Sequence, residues 1–335
     1  MRVAINGFGR IGRLVFRIME DIDDMEVVAI NNLKEAKQLA YLLKYDTCHR
    51  KYRPDEISYD DNHIIVGGRK VTCFAEEDPE KLPWKDLDID VVFECTGAFT
   101  DEEGANKHII AGAKKVVISA PAKGNVKTIV YGVNEEILDG SEKIISAASC
   151  TTNCLAPILK IVNDNFGIKR GYMTTVHAYT NDQSILDVTH KKGIESRRGR
   201  AACENIIPTS TGAATAIGLV IPELEGKMKG SAMRVPVPDG SVVDLVLELD
   251  RQVSVPMINN IFIAAKSEVL DATYDPIVSS DVIGDSHGGV VDLLLTDVLD
   301  TDGKQLVKIV AWYDNEMGYS NQMVRCARYF GSLDK

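Results

Sequence analysis

Apolar and polar positions fall into two rhythms along this chain. Short apolar runs, such as Val3-Ala4-Ile5, Val27-Val28-Ala29-Ile30, Val91-Val92-Phe93, Val116-Val117-Ile118 and Ile129-Val130-Tyr131, read as strands buried on both faces. Between them lie helix-like patterns, the first being Leu14-Val15-Phe16-Arg17-Ile18-Met19. Strands alternating with helices predict an α/β domain with a doubly wound parallel sheet over about residues 1–149. The rhythm then changes. A helical run starts at Cys150. Tyr172 to Thr180, Ser241 to Leu249 and Gly289 to Leu295 alternate like strands, with one more helical span near residues 257–266. The second half therefore predicts an α+β domain whose sheet is mixed and largely antiparallel, with helices on one face.

Composition agrees with two ordinary domains: 335 residues, 45% hydrophobic and 26% charged. The net charge of −11 argues against a nucleic-acid or anionic-membrane partner, so any anionic ligand must be met locally. Seven cysteines, Cys48, Cys73, Cys95, Cys150, Cys154, Cys203 and Cys326, are scattered without metal-ligand spacing. No metal is expected, and the free thiols suit a reducing, cytoplasmic setting. The first residues enter a strand pattern without a leader-like apolar region, and no run approaches the roughly 20 residues a membrane span needs.

Local chemistry sharpens the picture. Gly7-Phe8-Gly9-Arg10-Ile11-Gly12 stands between the first strand and the first helix, the Rossmann-type fingerprint in which glycines let the backbone approach a pyrophosphate on the helix N-terminus. About twenty residues on, where an acidic residue would hold a ribose 2′-hydroxyl, stands Asn32 with Lys34 close by, which leaves NADP open beside NAD. Thr96 and Ser119 lie at carboxyl ends of predicted strands and should line the cofactor crevice. Cys150 opens a helix after Ser149 and before Thr151. The helix dipole and unpaired N–H groups there favour thiolate, making Cys150 a candidate nucleophile, whereas Cys154 one turn on is expected to be buried and inert. His177, in a strand of the second domain, is the candidate base if the fold brings the two together. The basic stretch of residues 187–202, and Thr209-Ser210-Thr211-Gly212 before another helix, are candidate anion sites.

These motifs in this order resemble phosphorylating glyceraldehyde-3-phosphate dehydrogenase over essentially the whole chain. They are Ile5 to Gly12, Ala148 to Cys154, Thr174 to Gln183, Ile206 to Ala214, Met233-Arg234-Val235-Pro236 and Trp312-Tyr313-Asp314-Asn315-Glu316. The resemblance implies that Cys150 attacks glyceraldehyde 3-phosphate with His177 lowering the thiol pKa and taking the proton, that hydride passes to NAD, and that inorganic phosphate releases 1,3-bisphosphoglycerate from a thioester. It puts the substrate phosphate on Thr180, Asp182, Arg198 and Arg234, and inorganic phosphate on Ser149, Thr151, Thr211 and Gly212. It also puts Asn315 on the nicotinamide carboxamide, the backbone of Arg10 and Ile11 on the pyrophosphate, and a backbone contact at Glu77 on the adenine. It implies a catalytic domain of residues 150–316, a helix of residues 317–335 closing the first domain, and a homotetramer in which the loop between His177 and Ala201 lines a neighbour's cofactor site. Departures from the family pattern are Asn32 for Asp, Thr189 for Pro, Glu77 for a basic residue, and a longer loop at residues 192–196. Rival readings are erythrose-4-phosphate dehydrogenase, which releases its acyl group to water, and a non-catalytic redox-sensing or binding protein. A plain Cys/His hydrolase would leave the dinucleotide fingerprint unexplained.

Overall fold

The computed structural model describes residues 1–333, which divide into two compact units: residues 1–149 with the segment from Ser320 onward, and residues 150–319. In the first unit the chain runs β1 (Arg2–Asn6), α1 (Arg10–Met19), β2 (Glu26–Asn31), α2 (Ala36–Lys44), β3 (Tyr45–Asp46), β4 (Arg50–Lys51), β5 (Ile57–Tyr59), β6 (His63–Val66) and β7 (Arg69–Phe74). It continues through β8 (Val91–Glu94), α3 (Glu102–Ile110), β9 (Lys115–Ile118), β10 (Lys127–Thr128) and β11 (Ile144–Ser146). The main sheet has the order β10-β11-β9-β8-β1-β2-β7-β6-β5. It is parallel from β10 to β7 and antiparallel at the β7-β6-β5 edge. Strands β8 and β9 are buried at every position, as their unbroken apolar runs require.

The run Ile129 to Gly132 is not a strand. Pairing stops at Thr128, and the chain turns through Tyr131 and Gly132, whose φ is +81°. Ile129 and Val130 are fully buried all the same, so their apolarity reports burial in a loop. Asn134 holds that loop, accepting from the Val130 N–H at 2.8 Å and donating to the Thr128 carbonyl at 3.0 Å. The strand that pairs with β9 is instead β11, with β10 at the edge beyond it.

The second unit holds α4 (Cys150–Phe166), β12 (Ile168–Ala178), β13 (Ile207–Thr209), α5 (Ala213–Val220), β14 (Met228–Val235), β15 (Ser241–Leu249) and α6 (Val255–Ala264). It ends with β16 (Leu270–Thr273), β17 (Gly289–Asp292), β18 (Asp297–Thr301) and β19 (Lys304–Tyr313). Its sheet, β13-β14-β12-β15-β19-β17-β16 with β18 on β19, is parallel only at β12-β14 and β16-β17. Helix α4 packs against α5, α6 and the strands β12, β15, β17 and β19 through fully buried Leu155, Ile158, Leu159 and Val162. A Cβ on Gly289 would stand 2.8 Å from the Cys154 sulfur, so β17 and α4 approach closely at a bare backbone.

Helix α7 (Met317–Ser332) carries the closing segment. Within the first unit, the Lys115 ammonium donates to the Phe330 carbonyl at 2.6 Å and lies 4.4 Å from that ring's centroid, and Gln322 donates to the Tyr131 carbonyl.

Candidate active site

At the fingerprint, Gly7 has φ +94°, and a Cβ there would meet the Cys95 and Thr96 backbone at 2.7 Å. A Cβ on Gly12 would lie 2.1 Å from the Gly7 carbonyl oxygen, so α1 can sit against the end of β1 only with glycine at this position. Gly9 faces open space; α1 has no side-chain cap and no acidic residue in its first turn. A close turn, an open approach and an uncapped helix start fit the pyrophosphate of a dinucleotide. Asn32 is half-buried, and its Oδ1 accepts from the Phe8 N–H at 3.2 Å, which leaves Nδ2 as the outward group. Glu77 and Lys34 are exposed at the same end of the sheet. Thr96 follows β8 and is tied by its N–H and its hydroxyl to the buried Glu94 carboxylate, which also receives Asn6 Nδ2 at 2.5 Å. Half-buried Ser119 follows β9, its N–H on the Glu94 carbonyl at 2.9 Å.

In the second unit the first residue of α4 meets the end of β12. Cys150 Sγ is 3.4 Å from His177 Nε2, though the two are 27 residues apart. His177 Nδ1 lies 2.7 Å from the Ala178 carbonyl oxygen, an acceptor, and 2.9 Å from Arg234 Nη1, a donor; with the Nδ1 proton on the carbonyl, Nε2 offers its lone pair to the thiol. Arg234 Nη1 converges on the same carbonyl at 2.8 Å and reaches the Thr180 hydroxyl at 3.3 Å. Its Nη2 carries no hydrogen bond among the described residues. Asp182 accepts from Arg198 at 2.5 Å, and Arg198 also donates to the Thr209 hydroxyl at 3.1 Å. Burial works to raise the Asp182 carboxyl, but the Arg198 hydrogen bond and charge carry it below the usual range. Thr211 and Gly212 stand at the start of α5, where the Thr211 hydroxyl accepts from the Ala213 N–H at 3.2 Å.

At Cys150 burial and charge act in opposite directions. Cys150 keeps part of its surface open, yet burial of the sulfur raises its pKa, more than Arg234 and the Thr151 hydrogen bonds lower it. Burial, then the Arg234 charge, push His177 down to about 3. Cys154 is fully buried and its thiol is raised by that burial, in keeping with an inert role.

The descriptions "Glyceraldehyde 3-phosphate dehydrogenase, NAD binding domain" and "Glyceraldehyde 3-phosphate dehydrogenase, C-terminal domain" match residues 1–102 and 149–315. The chain is 56% identical to glyceraldehyde-3-phosphate dehydrogenase of Clostridium pasteurianum over 334 residues, covering 100% of this chain and 99% of the relative. Identity is 55% to that of Clostridium acetobutylicum and 52% to that of Streptococcus pyogenes, with the same coverage. The chain belongs to the glyceraldehyde-3-phosphate dehydrogenase family.

Against that membership, three residues of the site went unassigned in the sequence. Tyr313 is buried and its hydroxyl bridges Thr151 at 2.9 Å and Thr175 at 2.8 Å, while its ring meets His177 edge-on at 5.9 Å. The Thr151 hydroxyl is therefore engaged inside the fold. Ser241 bonds to both Ala178 and Asn315. Tyrosine, threonine and serine in alternating strands read as ordinary strand residues, so only the pairing of β12, β15 and β19 brings them together.

Proposed function

We propose that the chain oxidises glyceraldehyde 3-phosphate with NAD and inorganic phosphate through a thioester on Cys150, with His177 as the base. The 3.4 Å contact between Cys150 Sγ and His177 Nε2, with Nδ1 2.7 Å from the Ala178 carbonyl oxygen, is the observation that carries this reading. As Sγ attacks the aldehyde carbon, the thiol proton passes to Nε2, and Nε2 returns it to the carbonyl oxygen to give a hemithioacetal. A nicotinamide dinucleotide bound here would supply the hydride acceptor for that carbon. His177 takes the hydroxyl proton as the C=O bond re-forms, leaving the thioester. A phosphate oxygen then attacks the thioester carbon, the C–S bond breaks, the departing thiolate takes back the proton held on His177 Nε2, and the acyl phosphate leaves with the Cys150 thiol restored. A sulfur ester keeps the acyl-transfer reactivity this last step needs.

Arg234 with its unengaged Nη2, Thr180, and the Asp182–Arg198 pair are proposed to hold the substrate phosphate. Ser149, the backbone at Thr151, Thr211 and Gly212 would hold the attacking one. Asn315 is assigned to the nicotinamide carboxamide, Gly7 to Gly12 to the pyrophosphate, Asn32 to the adenosine ribose, Glu77 to the adenine, and Thr96 and Ser119 to the crevice beside them. The division of labour proposed is cofactor binding by residues 1–149 closed by the last helix, and chemistry by residues 150–316. NADP is proposed to be accepted beside NAD, and a homotetramer is proposed as the assembly. No helix among the described residues is long and apolar enough to cross a membrane.

Replacing Cys150 by Ser should lower turnover by at least about a thousandfold, given what removing an activated nucleophile costs. Binding of NAD, followed by titration, should stay within about threefold of the parent. Unchanged turnover in C150S would remove the mechanism.

A further inference from the structure

The buried hydroxyl of Ser241 bears on how the site recognises the nicotinamide, an inference that rests on the assignment of Asn315 made above. Ser241 opens β15 opposite Tyr313 of β19 and is 1% exposed. Its Oγ receives the Ala178 N–H at 3.0 Å and lies 2.7 Å from Asn315 Oδ1. A serine hydroxyl has a single proton, and the Ala178 N–H can only donate. The proton of Ser241 therefore goes to Asn315, and the atom that receives it is the amide oxygen. Turning the amide over would set Nδ2 against Oγ, and the hydroxyl proton would then have no acceptor among the described residues. A buried unsatisfied O–H disfavours that state.

The backbone on either side of the amide is held as well. Asp314 accepts from Gly284 N–H at 2.7 Å and from the N–H groups of Glu316 and Met317 at 2.8 Å. Asn315 is itself 5% exposed, and its Nδ2 carries no hydrogen bond among the described residues. One face of the amide is thus fixed as an acceptor inside the fold, and the other remains a donor with nothing to donate to.

We infer that Ser241 is a positioning residue that locks the Asn315 amide with Nδ2 as its ligand-facing group, so that the site selects a carbonyl oxygen on the 3-substituent of the nicotinamide ring. The same hydroxyl anchors Ala178, the neighbour of His177, so one side chain sets both the base-bearing strand end and the amide. A site built around a fixed donor rejects analogues that lack a good acceptor more strongly than those that merely lose an amino group.

The test is equilibrium binding without substrate, read by quenching of intrinsic fluorescence, for two analogues of NAD. The 3-acetylpyridine dinucleotide keeps the carbonyl oxygen and loses the amino group; the thionicotinamide dinucleotide replaces the oxygen with sulfur, a poor acceptor. The parent should bind the thio analogue at least about tenfold more weakly than the acetyl analogue, as loss of one hydrogen bond to a fixed donor predicts. In Ser241→Ala, and in Ser241→Cys, which has nearly the same shape and is a much weaker donor, the two analogues should come within about threefold of each other. Retention of the parental ratio in both variants would overturn the inference. Asn315→Ala separates the two readings. If it levels the ratio while the Ser241 variants keep it, the lock fails and the Asn315 assignment stands. If Asn315→Ala also keeps the ratio, the Asn315 assignment fails. A parent that does not prefer the acetyl analogue contradicts the donor orientation itself.

Discussion

At Cys150 two effects of opposite sign meet, and burial outweighs the Arg234 charge and the Thr151 hydrogen bonds. The consequence for His177 can be tested through stability. Its pKa in the fold, about 3, lies below the ordinary value near 6.5, so the folded chain binds fewer protons than the unfolded one between these limits. The stability tied to neutral His177 is complete above pH 6.5 and is lost as pH falls toward 3, at up to about 1.4 kcal/mol per pH unit. Denaturant unfolding at pH 6.5 and pH 5 should show the parent losing about 2 kcal/mol more than His177→Asn, which carries no such proton. Equal losses would mean that His177 is not held neutral. Asn32 makes a second residue-scale case. With Oδ1 tied to the Phe8 N–H, Nδ2 is the group that would meet a ribose hydroxyl or a 2′-phosphate under the proposed assignment, without repulsion. Asn32→Asp should raise the ratio of kcat/KM for NAD over NADP by at least about tenfold, since a carboxylate repels the 2′-phosphate and accepts from the hydroxyl. The identity of these residues was legible in the sequence, because Cys, His and the glycine spacing carry chemistry that few other roles require. Their protonation was not, because it depends on burial, which no local pattern states. Ser241 and Tyr313 were invisible for a related reason: their partners lie on strands far away in the chain.

Among the elements, legibility followed how many faces are buried. Strands β8 and β9, covered on both faces, read as unbroken apolar runs, and β15 alternates as a half-exposed strand must. The segment after β10 misled because a buried loop is as apolar as a buried strand. The loop of residues 184–206 sets the opposite problem. It presents Ile185, Leu186, Val188, Ile194 and Ile206 to solvent, with Ile194 95% exposed, while Asp182 collects Arg198, Lys191 and His190 at its base. Large apolar side chains held out in one segment favour a surface covered by another copy of the chain. Sedimentation at micromolar concentration should therefore give four times the chain mass, and Ile194→Glu with Leu186→Glu should weaken that assembly. A monomer in the parent would contradict the tetramer.

Across the whole molecule, the proposed division of labour gives each unit one half of the chemistry in its own fold. The first brings bare glycine backbone to the uncapped start of α1. The second sets a thiol, an imidazole with its lone pair turned to that thiol, and two arginines within a single sheet-and-helix arrangement. Phosphate as the acyl acceptor separates this account from the hydrolysing rival, and it depends on donors at Ser149, Thr151, Thr211 and Gly212. The most direct measurement is the formation of reduced cofactor from glyceraldehyde 3-phosphate and NAD, followed with and without inorganic phosphate. The account predicts many turnovers with phosphate and, without it, a single burst of about one reduced cofactor per Cys150, because the thioester then has no efficient acceptor. Steady turnover in the absence of phosphate would contradict it.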